Sequence, residues 1–262
     1  MVAPYRFMTI AEVRTVLRDL RRRARRTGRT SGRLNLMIFR ICCCCGLRRE
    51  EAAGLRLSDV ILGGPKPCLR VRKEITKGKT IKRQDGTTKE IRRARLVPLW
   101  WDRGTLDDLR AWIELRRSQG AGPGDPILCG VSKVNRGKRL TGKLIASRWK
   151  FAIRALGRER VQQLSVHCGR HSFASLSLSA GRSLAEVKEA LGHASIQSTN
   201  VYLHAVERER VPDVFELPAT GRGQRKRVER PDGHGGDVRV DAQPASRVAR
   251  AQAAPDGSRD LW

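Results

Sequence analysis

Between residues 167 and 204 the chain gathers four of its five histidines and one of its two tyrosines. The stretch opens on His167-Cys168-Gly169-Arg170-His171 and runs on to Leu191-Gly192-His193 and then Tyr202. Far upstream a second polar cluster reads Gly46-Leu47-Arg48-Arg49-Glu50-Glu51. These residue types are what phosphoryl transfer through a covalent intermediate requires. It needs a nucleophile, cations on the non-bridging oxygens, a proton donor for the leaving oxygen and a group near the attacker. Tyr202 supplies a phenol whose ordinary pKa of about 10 makes it a fair leaving group as well as a nucleophile, so its diester can be resealed. Arg48 and Arg170 offer planar forks for phosphate oxygens. His167 and His193 exchange protons near neutral pH. Helical spacing sets His167 and Arg170, three apart, on one face.

Each of these residues has a plainer reading. Arg48 alone is a surface arginine in an arginine-rich chain, and Tyr202 alone is a packed core residue. Their order and company decide otherwise. His167 and His171 stand four apart, the spacing of a zinc pair, but Cys-Gly-Arg lies between them with no glutamate, and an arginine in the site repels a cation. No metal is expected, and His171 reads as a buttress to the arginine pocket. The energy of the cut bond would be kept in the covalent link, so no cofactor is expected either.

Beyond these clusters, the chain of 262 residues carries 54 Lys+Arg against 26 Asp+Glu, a formal charge of +28. Such an excess points to a polyanionic partner, because neutralised phosphates release counterions. Residues 219–262 hold only +3 of it, which leaves +25 on residues 1–218. The seven cysteines include the run Cys42 to Cys45 and no C-x-x-C spacing. Neighbours on one helix point in different directions and cannot chelate one ion, so these read as small packed thiols in a reducing compartment. There is no secretory signal and no apolar run near the ~20 residues of a membrane span, so no membrane is expected and the expected location is cytoplasmic.

The elements that must position the chemistry are mostly helices. Thr9-Ile10-Ala11-Glu12 is a capping box opening an amphipathic helix. Residues 21–33 read as a polar, flexible link, 34–45 as a buried helix, and a second helix follows through Leu55. Residues 68–99 change character and predict a small antiparallel sheet with an extended hairpin around Asp85-Gly86. Helices resume at 105–117, capped by Thr105, at 141–156, and at about 168–180, 183–191 and 196–208. The class is α+β. From residue 219 onward apolar periodicity is absent, which predicts a disordered tail, 219–262.

Taken in order, the polar clusters resemble the catalytic domain of the tyrosine recombinases, the phage-integrase family. The family's G-L-R-x-x-E-x-x-x-L box is matched by Gly46, Leu47, Arg48, Glu51 and Leu55, with Ser58-Asp59-Val60 after it. Its H-x-x-R-H-[ST]-F-A box is matched by His167, Arg170, His171, Ser172, Phe173 and Ala174. Its L-G-H, followed nine positions on by tyrosine, is matched by Leu191, Gly192, His193 and Tyr202, with Thr199 and His204 fitting beside them. One such box is weak; three in order are specific. The resemblance covers about residues 9–208.

The resemblance implies a mostly helical catalytic domain over residues 1–218 with a small antiparallel sheet or hairpin. It implies a site-specific recombinase or integrase on double-stranded DNA, working as a homotetramer. Tyr202 would form a 3′-phosphotyrosyl bond, Arg48 and Arg170 would stabilise the transition state with His193 as a further donor, and His167 would handle the tyrosine proton. The family's hairpin lysine, general acid to the 5′-oxygen, is best matched by Lys77, with Lys82 and Lys89 as rivals. The family's N-terminal core-binding domain has no counterpart ahead of residue 9. Two other readings fit part of the pattern: a type IB topoisomerase, which the Leu-Gly-His box disfavours, and a non-catalytic DNA-binding remnant.

Overall fold

The first helix is closed at its start by reciprocal bonds. Thr9 N–H donates to Glu12 Oε2 at 2.8 Å and Glu12 N–H to Thr9 Oγ1 at 3.2 Å, the capping box expected there. In the computed structural model, which describes residues 7–27, 30–82 and 86–193, this helix is α1 (Ile10–Thr27). Val13, Val16, Leu17, Leu20 and Ala24 form its buried stripe. The stripe carries the helix through the arginine run, and α2 (Thr30–Phe39) starts almost at once, so the expected flexible link over 21–33 is corrected. Arginine is a good helix former, and Arg21 and Arg23 find partners in Asp108 at 3.1 Å and Asp19 at 2.5 Å.

Helix α2 runs straight into a π-helical turn, Arg40–Cys44, in which Cys45 N–H reaches back to Arg40 O at 3.0 Å. The wide turn brings Arg40 wholly inside, where it meets Asp102 at 3.2 Å and Asp108 at 2.8 Å and donates to Thr105 Oγ1 at 3.1 Å. A buried guanidinium needs such pairing. The four cysteines of the run are buried and unoxidised. Burial pushes the Cys42 thiol up to about 12 and those of Cys43 and Cys45 well above their ordinary value, which suits packing and not chemistry. Small side chains here let α7 (Val166–Ser179) come close: a Cβ on Gly169 would stand 3.2 Å from Cys42 O.

Helix α3 (Arg49–Gly54) leads into β1 (Val60–Ile61), β2 (Cys68–Val71), β3 (Lys79–Lys82), β4 (Thr88–Ile91) and β5 (Arg95–Pro98). Strands β1, β2 and β5 form one antiparallel sheet, with Leu69 paired to Val60 and Val97 and facing the core. The hairpin β3–β4 is a two-stranded sheet of its own, Lys79 opposite Ile91 and Lys82 opposite Thr88. Helix α4 (Arg103–Ser118) is capped by Asp102, whose Oδ1 accepts from Thr105 N–H at 3.1 Å; the expected cap at Thr105 is corrected, since Thr105 lies inside the first turn. Helix α5 (Gly142–Ala152) does start on Thr141, whose Oγ1 accepts from Leu144 N–H at 3.2 Å. It ends sooner than expected, in a 3-10 turn, and a short α6 (Arg158–Gln163) follows. Then come α7 and α8 (Leu184–Leu191); the helix expected over 196–208 lies outside the described residues.

The core is built around Trp149, stacked on Phe39 at 5.5 Å, and Trp112, each indole N–H donating to a carbonyl, of Leu164 and Ile127 respectively. Trp101 stacks on Phe173 at 6.1 Å, while Trp100 is 41% exposed. Among the described residues, no helix is long and apolar enough to cross a membrane. Mostly helical with small antiparallel sheets, the fold is α+β as expected.

Candidate active site

Arg48 occupies the N-cap of α3, and Glu51 folds back to hold it. Glu51 Oε2 accepts from Arg48 N–H and Oε1 from Arg48 Nη1, both at 2.9 Å. Glu51 is 1% exposed and the Arg48 side chain 31%, so the carboxylate is sealed and the arginine head reaches the surface. A second arginine seals it. From β5, Arg95 donates to Glu51 Oε1 at 3.0 Å and Oε2 at 2.7 Å, and its Nε to Ala190 O at 2.8 Å. Burial pushes the Glu51 carboxyl up, but the bonds and charge of Arg95, with those of Arg48, outweigh it and hold the group down to about 2.

Arg170 is the joint between the distant segments. Only 1% exposed, it donates Nη1 to Gly46 O at 2.8 Å and Nη2 to Leu191 O at 2.5 Å. Gly46 has φ +64°, and a Cβ there would stand 2.6 Å from the Phe173 ring, so only glycine lets the chain pass over α7 with its carbonyl turned to Arg170. Ser172 receives the N–H of Met8 at 2.8 Å, which ties the lead-in to α1 to the same helix. Helix α8 ends on Gly192 at φ +65°, and the N–H groups of Gly192 and His193 satisfy the carbonyls of Glu189 and Lys188. That cap sets His193 beside the arginines.

Both candidate histidines are held neutral. His193 is half-buried; burial first, then the charges of Arg170, Arg48 and Arg95, push it down to about 4. His167 is more exposed, in the first turn of α7, and is lowered by burial and then by Arg170 and Arg48. The His167 and His171 rings meet edge to face at 4.5 Å.

Lys77 reaches the same place by a different route. A Cβ on Gly54 would come 2.5 Å from Ile75 Cγ2, so the glycine that ends α3 gives Ile75 its seat, and the loop carrying Lys77 docks beside Arg48. Arg48, Lys77 and His167 line one cavity of about 720 Å³, joined by Arg139 and Lys150. Arg170 lies behind it in the core, and its charge with that of Arg48 bears on both histidines. Arg48, Lys77 and His167 thus share the cavity, and Arg170 and His193 lie within the electrostatic reach of Arg48. Tyr202 lies outside the described residues, as do the side chains of Lys82 and Lys89. Among the described residues no cluster of three metal-ligating side chains occurs. The sequence reading misses Arg95, whose one signal is its place at the head of a β-branched strand, and the cations Arg139 and Lys150.

An α+β domain that lines one cavity with a guanidinium, a lysine and a neutral imidazole, backed by a buried guanidinium and a second imidazole, carries the cations and proton acceptors that phosphodiester chemistry uses. The chain belongs to the phage integrase family, whose model matches residues 6–209. Among curated relatives, tyrosine recombinase XerC of Pseudomonas putida is 37% identical over 112 residues, covering 43% of this chain and 34% of that protein. XerC of Pseudomonas entomophila is 34% identical over 160 residues, covering 61% and 44%. The chain thus spans less than half the length of these relatives. Among solved structures, XerA recombinase superposes with a TM-score of 0.55 at 21% identity, covering 76% of this chain and 58% of that one. XerH site-specific recombinase, in a post-cleavage complex with a palindromic difH substrate, gives 0.52 at 21%, covering 78% and 51%.

Proposed function

We propose that the chain is a site-specific DNA recombinase or integrase that cuts and rejoins double-stranded DNA through a 3′-phosphotyrosyl intermediate. The observation that carries the reading is the convergence of Arg48, Lys77 and His167 on one cavity, with Arg170 tying the Gly46 and Leu191 segments together in the core. The Tyr202 oxygen attacks the scissile phosphorus as the P–O5′ bond breaks. Arg48 meets the non-bridging oxygens at the cavity, and Arg170, buried behind it, adds its positive charge to the stabilisation. Lys77 gives its proton to the departing O5′, and His167, neutral at pH 7, accepts the phenol proton. His193, also neutral, donates an N–H to the phosphate instead of adding a charge. Residues 1–218 form the catalytic domain and 219–262 a tail. Strand exchange involves two duplexes cut on both strands, which calls for four copies on DNA in the cytoplasm, and the palindromic substrate of XerH fits that arrangement.

A library of nicked duplexes with a randomised centre tests this whatever the target sequence is. The nick lets the cut fragment diffuse away and traps the covalent complex, which is then recovered on denaturing gels and sequenced. The wild-type chain should give adducts converging on one sequence, and Tyr202→Phe should give none while binding the same DNA. Adducts formed by Tyr202→Phe, or none from the wild type, would overturn the reading.

A further inference from the structure

Glu51 presents an electrostatic problem that the reaction scheme leaves open. A carboxylate that is 1% exposed must be neutralised, and the nearest cation on its own helix is Arg48, the residue that scheme sets against the phosphate. Were Arg48 its sole partner, the pair would carry no net charge and the guanidinium would be drawn inward. Arg95 changes this. It is 5% exposed, meets both Glu51 oxygens through a parallel fork at 3.0 and 2.7 Å, and leaves Arg48 only Nη1 and its backbone N–H on the carboxylate. Two guanidiniums on one carboxylate leave a net charge of one, and the Arg48 head is the member that lines the cavity.

The third nitrogen of Arg95 reaches elsewhere. Nε donates to Ala190 O at 2.8 Å, in the last turn of α8 just before the Gly192-His193 cap. A Cβ on Gly192 would stand 2.7 Å from Arg95 Cδ, so the cap is shaped around this side chain. Resting on the recombinase reading above, we propose that Arg95 is a positioning residue of the cleavage site. It takes up the Glu51 charge so that Arg48 keeps its own for the scissile phosphate, and it fixes the end of α8 to that pair. A merely structural salt bridge between β5 and α3 would use the same bonds. The two roles differ in one respect: only the first depends on the charge of the substrate's phosphate.

A methylphosphonate at the scissile position makes that distinction. One non-bridging oxygen becomes a methyl group and the phosphorus centre is neutral, while the P–O bond to tyrosine still forms and P–O5′ still breaks. The probe is the sequence recovered from the nicked-duplex library, with either phosphate or methylphosphonate at the cut, and the readout is the rate of adduct formation by the full chain. Arg95→Met keeps the stem against Gly192. It should slow the phosphate reaction by about 10²-fold, the scale of a lost oxyanion donor, and the methylphosphonate reaction by no more than about threefold. Arg95→Lys, which keeps the charge, should recover most of the phosphate rate. Equal losses on both substrates, or wild-type rates for Arg95→Met on phosphate, would overturn the proposal. If Arg95→Met does not unfold cooperatively, Glu51→Gln with Arg95→Met removes both buried charges and leaves that of Arg48. This pair should cleave phosphate within about tenfold of wild type, and a rate as low as that of Arg48→Ala would overturn the proposal. The wild-type rate is a separate control. Without wild-type adducts the recombinase reading itself fails; with them, only the role of Arg95 is in question.

Discussion

The two candidate arginines face different environments, and their removal should separate accordingly. Arg170 is buried and its nitrogens satisfy the carbonyls of Gly46 and Leu191. Arg170→Ala orphans both, at about 1–3 kcal/mol for each buried acceptor, besides emptying the space. Arg48→Ala removes a partly exposed head and leaves Glu51 in the fork of Arg95, so its stability cost should be under about 1 kcal/mol. Both should slow adduct formation by about 10²–10³, but thermal unfolding should shift strongly only for Arg170→Ala. Equal shifts in Tm would mean that Arg170 does not hold the boxes together. The histidines give a pH signature. An unfolded His193 takes its proton near pH 6.5, the folded one near 4. In that window the unfolded chain binds more protons, so the DNA-free protein loses stability as pH falls from about 6.5 towards 4. Glu51, ordinarily near 4.5 and held near 2 in the fold, adds to the loss only in the lower part of that window, so the His193 signature is read between about pH 6.5 and 5. His193→Asn should flatten the dependence of Tm on pH. A phosphate laid against Arg48 offsets the positive charge that Arg48 and Arg170 put on the histidines and lifts both, so DNA binding near pH 5.5 should take up protons, read from binding heats in buffers of different ionisation enthalpy.

At the scale of elements, glycines record where the site is assembled. Gly192 and Gly181 both have positive φ, but a Cβ on Gly181 meets open space, whereas on Gly192 it meets Arg95 at 2.7 Å. Gly181→Ala should therefore cost only the backbone strain of the left-handed region, about 1 kcal/mol, and leave cleavage intact. Gly192→Ala should cost more and also slow adduct formation, by pushing Arg95 off Glu51. If both variants cleave like wild type, the cap of α8 does not set the site. Local signals of this kind are readable in the chain: Thr9 with Glu12, Thr141, and the alternation of Leu69 and Val71 each act within a few residues. Misreadings arise where a neighbour far along the chain decides. Arg21 and Arg23 look like a link until Asp108 claims the one and the carbonyls of Phe151 and Ala152 the other, and Thr105 looks like a cap because Asp102 lies just outside its motif. Nothing local marks the π turn at Arg40–Cys44, whose buried Arg40 meets Asp102 and Asp108, more than sixty residues on. Arg95 is illegible for the same reason, since its partners Glu51 and Ala190 lie 44 and 95 residues away.

For the whole molecule the governing quantity is charge and where it sits. Residues 1–218 carry +25 and residues 219–262 carry +3, although the latter contain nine Lys and Arg. Six acids among them leave little net charge to displace counterions. Six Lys and Arg line the cavity against three glutamates, with Arg49, Arg92, Arg139 and Lys150 beside Arg48 and Lys77. On the recombinase reading proposed above, a duplex seated there would make most of its phosphate contacts around the cavity. The logarithm of affinity should fall linearly with the logarithm of salt, by about 0.9 for each phosphate neutralised on duplex DNA. Deleting residues 219–262 should change that slope by less than about one contact, whereas Arg49, Arg139 and Lys150 changed together to alanine should lower it by about two to three. The triple substitution should weaken binding alike on all sequences, because phosphate contacts position a duplex without reading it. Affinity measured across a salt series for the full chain, the truncated chain and the triple variant separates the cases. A slope that collapses on truncation and survives the triple substitution would move the DNA-binding surface from the cavity to the tail, and with it the assumption that the scissile phosphate enters where Arg48 and His167 meet.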